Sequence, residues 1–133
     1  MIIYQDETYI LKYESTLKTI FAVWLDVEGL TDNKYKFLLK KYMSAVEKYS
    51  PENVLIDTSK GFYLLDEELS QWTEKNVCQA IEETNIKKIA FVVPASALHS
   101  APFENMIIAL NQKSKIKRRI FYSYAKAADW ILS

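Results

Sequence analysis

The side chains able to do chemistry are few in this sequence. One histidine and one cysteine cannot build a structural zinc site, an intrachain disulfide or an iron–sulfur ligand set. His99 directly precedes Ser100, which invites a reading as base and nucleophile. Sequence neighbours rarely acquire triad geometry, however, and no nucleophile-elbow pattern surrounds any serine. Cys78 has Lys75 one turn away as its basic neighbour and reads as a buried structural thiol. Glu82 and Glu83 point in different directions on a helix, so they read as solvated surface and not as an acid and base pair. Asp57-Thr58-Ser59-Lys60-Gly61 could turn backbone amides and Lys60 toward an anion, and the same composition makes a plain strand-to-loop turn. Gly29 and Gly61 are the only glycines, too few for a phosphate loop of the dinucleotide or Walker type. No catalytic, cofactor-binding or metal-ligating residue is assigned.

Ser59, Lys60, Gly61, Ser96, His99 and Ser123 share one expected location, the carboxyl ends of parallel strands, where ligands of open α/β sheets bind. The elements that would put them there follow from hydrophobic period. Tyr9, Leu11 and Tyr13 alternate with Ile10, Lys12 and Glu14, Ser15 to Thr19 makes a turn, and Ile20 to Val27 forms a second strand. Both faces of that strand are apolar, so both need cover. Tyr35, Leu38, Leu39, Tyr42, Val46 and Tyr49 mark one face of a helix over Lys34–Ser50, capped by Thr31 or Asp32 and stopped by Pro51. Val54 to Ile56 is a short buried strand ending at Asp57. Asp66 caps a helix running to about Thr84, with Glu67 and Glu68 in its first turn and Leu69, Trp72, Val77, Ala80 and Ile81 as its buried stripe. Ile89 to Val93 is another strand. Pro102 opens a helix carrying Phe103, Met106, Ile107 and Leu110. Arg119 to Tyr122 is the last strand, and Ser123 caps a terminal helix with Tyr124, Ala127, Ala128 and Ile131 inward.

This order predicts an α/β fold: a mixed, mostly parallel sheet of about five strands, an N-terminal antiparallel hairpin and about four helices. At 133 residues, 50% hydrophobic and 26% charged, residues 1–133 read as one domain. The N-terminus lacks the basic start and apolar run of a signal peptide, and the longest apolar stretch is interrupted by Pro94. A soluble cytoplasmic protein without membrane insertion is expected.

Seventeen basic residues against seventeen acidic ones remove the usual footprint of a nucleic-acid binder. The charge is nevertheless segregated. Residues 51 to 85 hold two basic and eight acidic groups, and residues 86 to 133 hold eight and two. Lys113, Lys115, Lys117, Arg118 and Arg119 concentrate the positive end; they read first as a hydrated loop, and otherwise as a surface for an acidic partner, an anionic head group or RNA. Nine Tyr and three Trp suit half-buried interfaces or ligand grooves.

The chain resembles the STAS-like superfamily, the anti-sigma-factor-antagonist or SpoIIAA-like fold, and within it an uncharacterised bacterial branch of small stand-alone domains. The resemblance spans nearly the whole chain. It is carried by Val23-Trp24 closing the hairpin, Val54-Leu55-Ile56-Asp57 before an acidic helix start, Trp72, the strand Ile89-Ala90-Phe91-Val92-Val93-Pro94, and the closing Ala127-Ala128-Asp129-Trp130-Ile131-Leu132. It implies helices mainly on one sheet face and a homodimer through the other. Regulated members carry a phosphorylated serine at the start of the helix after the Asp-ending strand. Here Asp57 and Asp66 fit that pattern, while Glu67 occupies the phosphoacceptor position, so serine phosphoswitching is not expected. The resemblance implies a non-enzymatic protein-interaction or regulatory module without cofactors, whose partner is another protein or a second copy, with Asp57, Ser59, Asp66 and Glu67 as its candidate interaction surface. The alternative is a small-molecule or lipid-binding module, by likeness to SEC14-type domains. That alternative requires an apolar cleft lined by Trp24, Trp72 or the Phe103 helix; the interaction module requires a filled core.

Overall fold

The computed structural model describes residues 1–96 and 103–133, with the backbone of 101–102. His99 and Ser100 lie outside the described residues. The elements are β1 (Ile2–Gln5), β2 (Tyr9–Glu14), β3 (Thr19–Trp24), α1 (Asp32–Tyr49), β4 (Asn53–Asp57), α2 (Glu67–Thr73), β5 (Lys88–Val92), α3 (Ala101–Lys113), β6 (Lys117–Phe121) and α4 (Tyr124–Leu132). They form one six-stranded sheet in the order β1-β2-β3-β4-β5-β6. The first two pairings are antiparallel and the last three parallel.

The sheet has one more strand than the alternation predicts. β1 is short, and its pairing with β2 is irregular between Ile2 and Tyr4. The turn into β2 is organised by Asp6. Its Oδ1 accepts from the Thr8 and Tyr9 amides at 2.8 and 2.9 Å, and its Oδ2 accepts from the Tyr4 hydroxyl at 2.6 Å and pairs with Lys34 at 2.9 Å.

Each parallel step moves one strand in the same direction, so right-handed crossovers place α1, α2 and α3 on one face. Ile20, Ala22, Trp24, Val54 and Ile89 point toward that face and join the buried residues of α1 and α2. The opposite face carries Phe21, Leu55, Ala90, Val92 and Phe121, covered by Ala127 and Ile131 of α4. Much of the apolar second face is therefore buried within one chain. Tyr124, expected inward, is 46% exposed. It stands at the first position of α4, before the inward-facing stripe begins.

Local signals set most helix ends. Thr31, Asp66 and Ser123 each accept a first-turn amide, from Lys34, Leu69 and Lys126 respectively. Ser50 closes α1 in the left-handed region at φ 49°. The segment after α2 departs from the expected single helix: it continues as a π-helical turn over Glu74–Cys78 and a 3₁₀ turn over Ala80–Glu83. Its apolar residues explain the change. Trp72 and Val77 are five residues apart, too many for one α turn, and a π turn brings Val77 back inward. Leu69, Val77 and Ile81 are buried, whereas Ala80, expected in the stripe, is exposed.

Candidate functional site: an apolar cavity closed by an arginine

Between the sheet and the three helices on its first face lies a cavity of about 350 Å3. Its walls are almost entirely apolar. On one side Tyr9 packs on Trp24 at 4.5 Å between ring centroids, Trp24 stacks on Tyr35 at 5.8 Å, and Tyr35 stacks on Tyr63 at 5.7 Å. On the other side Phe103 of α3 meets Phe62 and Phe91 edge-to-face at 5.8 and 5.5 Å. Met106, Ile107 and Leu110 extend that wall one helical turn further. Rigid aromatic walls of this kind offer a large apolar contact area at little entropic cost. Trp72 stands behind the wall, edge-on to Tyr35 at 6.3 Å.

The loop between β4 and α2 forms the cavity's outer rim, and its path depends on Gly61. A Cβ at this position would stand 2.2 Å from the Leu25 carbonyl oxygen, so the loop can lie against the end of β3 only with glycine here. The Tyr63 hydroxyl then pins the loop to the start of α1, donating to the Leu30 carbonyl at 3.2 Å and to Asp32 at 3.0 Å. Phe62 and Leu65 are left half-buried at the rim, and Leu64 is 74% exposed.

The deep end of the cavity holds its one charged lining residue among the described residues, Arg118 of β6. Ile116, Arg118 and Ile120 alternate with Lys117 and Arg119, so strand geometry turns Arg118 inward and its basic neighbours outward. The run read as one basic surface is thus divided. Arg119 instead lies over the Phe121 and Trp130 rings at 5.1 and 5.7 Å. Arg118 is 2% exposed, and both terminal guanidinium nitrogens are buried without a hydrogen-bond partner among the described residues. The nearest counter-charge, Glu82 Oε1, stands 3.7 Å from Nη2, beyond hydrogen-bond reach. A guanidinium stays charged in proteins, so this is a buried cation with five donors and an incomplete set of acceptors.

Two titratable groups feel that charge. Burial pushes the Tyr42 hydroxyl well above its usual range, with Cys78 adding to the rise and Arg118 opposing it. Burial likewise raises the Cys78 thiol, against the pull of Arg118. Both are neutral near pH 7, and both line the cavity.

A larger recess of about 460 Å3 opens at the other end of the sheet, lined by Tyr13, Lys18, Tyr49, Glu52 and Lys87 among others. Four of its polar side chains pair with one another. Lys87 pairs with Glu52 at 2.9 Å and Asn85 donates to Ser50 at 2.7 Å. Among the described residues it offers no buried unpaired group comparable with Arg118.

The residues singled out in the sequence fall into two groups. Asp57 and Ser59 close a turn, with the Ser59 amide and hydroxyl both donating to Asp57 Oδ1 at 2.9 and 2.7 Å. The Asp57 carboxylate therefore occupies the turn itself. It faces the α4 side of the sheet, where burial and then the Asp57 charge raise the Tyr124 hydroxyl. Asp66 and Glu67 are exposed at the start of α2, and Asp66 acts on Tyr63 on the opposite side. Of the described members of the expected strand-end cluster, only Gly61 lines the cavity, and His99 lies outside the described residues. Arg118 was visible in the sequence as a charge at the centre of an Ile-x-Arg-x-Ile alternation.

No family model matches the chain, and neither a curated protein nor a solved structure matches it. Among the described residues no group of three or more His, Cys, Asp or Glu is placed to hold a metal ion. No described helix is long and apolar enough to cross a membrane.

Proposed function

We propose that this protein is a binding module for a small, largely apolar molecule and that it performs no chemistry on it. The observation that carries this reading is the aromatic-walled cavity with Trp24 on one side and the Phe103 helix on the other. Its volume falls at the lower end of ligand pockets, which suits a compact ligand better than a two-chain lipid. A wall made mostly of neutral apolar groups binds and shields without supplying a nucleophile or a poised base. Native mass spectrometry of gently purified protein tests the reading. Extra mass of a few hundred daltons, lost on denaturation and absent from Cys78→Phe, supports it. Wild-type protein that carries no such mass, and shows no change in tryptophan fluorescence with decanol, overturns it.

A second reading keeps the STAS-like resemblance in front: a regulatory domain of the bacterial cytoplasm that docks another protein or a second copy. Tyr124 supports it, being 46% exposed on the side of the sheet that Asp57 faces. Asp57→Lys together with Tyr124→Ala would then abolish self-association in analytical ultracentrifugation. A wild-type chain that sediments as a monomer at high concentration removes the self-association form of this reading.

A further inference from the structure

We propose that the ligand is an amphipathic monocarboxylate whose head pairs with Arg118 and whose apolar part lies between Trp24 and Phe103. The inference rests on the cavity being a ligand site and adds the chemistry of its deep end.

Burying a guanidinium whose donors lack hydrogen-bond partners costs free energy that an ion pair at 3.7 Å repays only in part, and a native buried polar group without such partners calls for an explanation that a bound anion supplies. Arg118 has both terminal nitrogens in this condition, and it lines the cavity. Its neighbours cannot meet the need. Glu82 lies at 3.7 Å and is itself one-third exposed, so part of its charge is spent on solvent. Cys78 and Tyr42, held neutral by burial, supply no negative charge. A carboxylate presents two coplanar oxygens matched to the guanidinium fork. The head should carry one charge. Arg118 is the one cation among the described lining residues, so a dianionic phosphate would bury a second negative charge beside Glu82 without a partner. Beyond the head, an aliphatic or aryl body fits the neutral walls.

The test compares acids with their neutral counterparts: octanoate, decanoate and hydrocinnamate against octanol, decanol and phenylpropanol, titrated calorimetrically at pH 7. Losing a charge-assisted pair should weaken binding about tenfold or more, so at least one acid should bind wild-type protein that much more tightly than its alcohol. Arg118→Met should remove the preference, so that the acid binds no more tightly than its alcohol. Glu82→Gln, which removes the competing carboxylate, should tighten the acid and leave the alcohol unchanged. Alcohols that bind wild-type protein as tightly as the acids overturn the head-group assignment and leave the cavity reading standing. Acids that bind Glu82→Gln no more tightly than wild type overturn the head-group assignment in the same way. If neither series binds, both readings fall.

Discussion

Asn111 of α3 and Arg118 of β6 exchange two hydrogen bonds across the open edge of the sheet. The Arg118 amide donates to Asn111 Oδ1 at 2.9 Å, and Asn111 Nδ2 donates to the Arg118 carbonyl at 2.9 Å. The side-chain amide thus copies the pairing that a seventh strand would provide, and it joins the wall of the cavity to the residue at its deep end.

Replacing Asn111 with Ala should therefore cost about 1 to 3 kcal/mol, because a half-buried donor and acceptor lose their partners together. Asn111→Asp keeps the acceptor and loses the donor, so it should fall between the two. Urea unfolding of the three proteins checks the order. An Asn111→Ala protein as stable as wild type would mean that water replaces both bonds without cost.

The turn after β1 makes a pH-dependent contribution. Burial alone would raise the Asp6 carboxyl, but the Tyr4 hydroxyl, the Lys34 ammonium and the Thr8 and Tyr9 amides outweigh it and hold the group at about 2, below its ordinary 3.8. A group lowered on folding stabilises the protein above its unfolded value, and that stability is lost as pH falls through the folded one. Asp6→Asn should cost about 1 kcal/mol at pH 7 after allowance for solvent screening. The gap to wild type should narrow from about pH 4 downward and close near pH 2. Denaturant titrations across this range check it; a gap independent of pH would assign the effect to the neutral hydrogen bonds.

How much could be read from the chain depends on the range of the interaction concerned. Thr31, Asp66 and Ser123 cap helices through contacts three residues away, so the sequence pattern suffices. The alternation of β3 likewise announced that both faces would be covered, and α4 covers one of them. β1 escaped notice because four residues carry little periodicity, and its turn is held by an ion pair between Asp6 and the distant Lys34. Arg118 was counted with its basic neighbours along the chain, whereas a strand divides neighbours between opposite faces. The cavity itself has no linear signature. Trp24 and Phe103 would be just as apolar around a filled core; the void exists because Gly61 and Tyr63 fix where the outer loop runs.

Gly61 and Gly29 make a paired test of that last point. Gly61→Ala must push the loop from the Leu25 carbonyl, since 2.2 Å is far inside any tolerable contact and the obstacle is backbone. A loss of about 2 kcal/mol or more is expected, with weaker binding of apolar ligands as the rim shifts. Gly29 has nothing within 4 Å of the added carbon but holds φ at +75°. Gly29→Ala should cost about 1 kcal/mol from backbone strain alone and leave binding unchanged. Thermal denaturation and decanol titration of both variants separate the two effects, and equal behaviour would remove the special role of the Gly61 approach.

Cys78 reports on the cavity's interior without any need to know the natural ligand. Burial raises its thiol above the ordinary value of 9, Arg118 works against that rise, and Glu74 and Glu82 add to it. A raised value means less thiolate at any given pH, so alkylation by iodoacetamide should be slow at pH 7 and keep accelerating beyond pH 9. Arg118→Met removes the opposing charge and should slow the reaction further at fixed pH. Saturating decanol should slow it as well, by filling the space the reagent must enter while leaving the charges in place. Mass spectrometry of the alkylated fraction against time gives all three rates. A rate that levels off below pH 9 would mean that Arg118 outweighs burial, and decanol without effect would mean that the thiol is reached by a path outside the cavity.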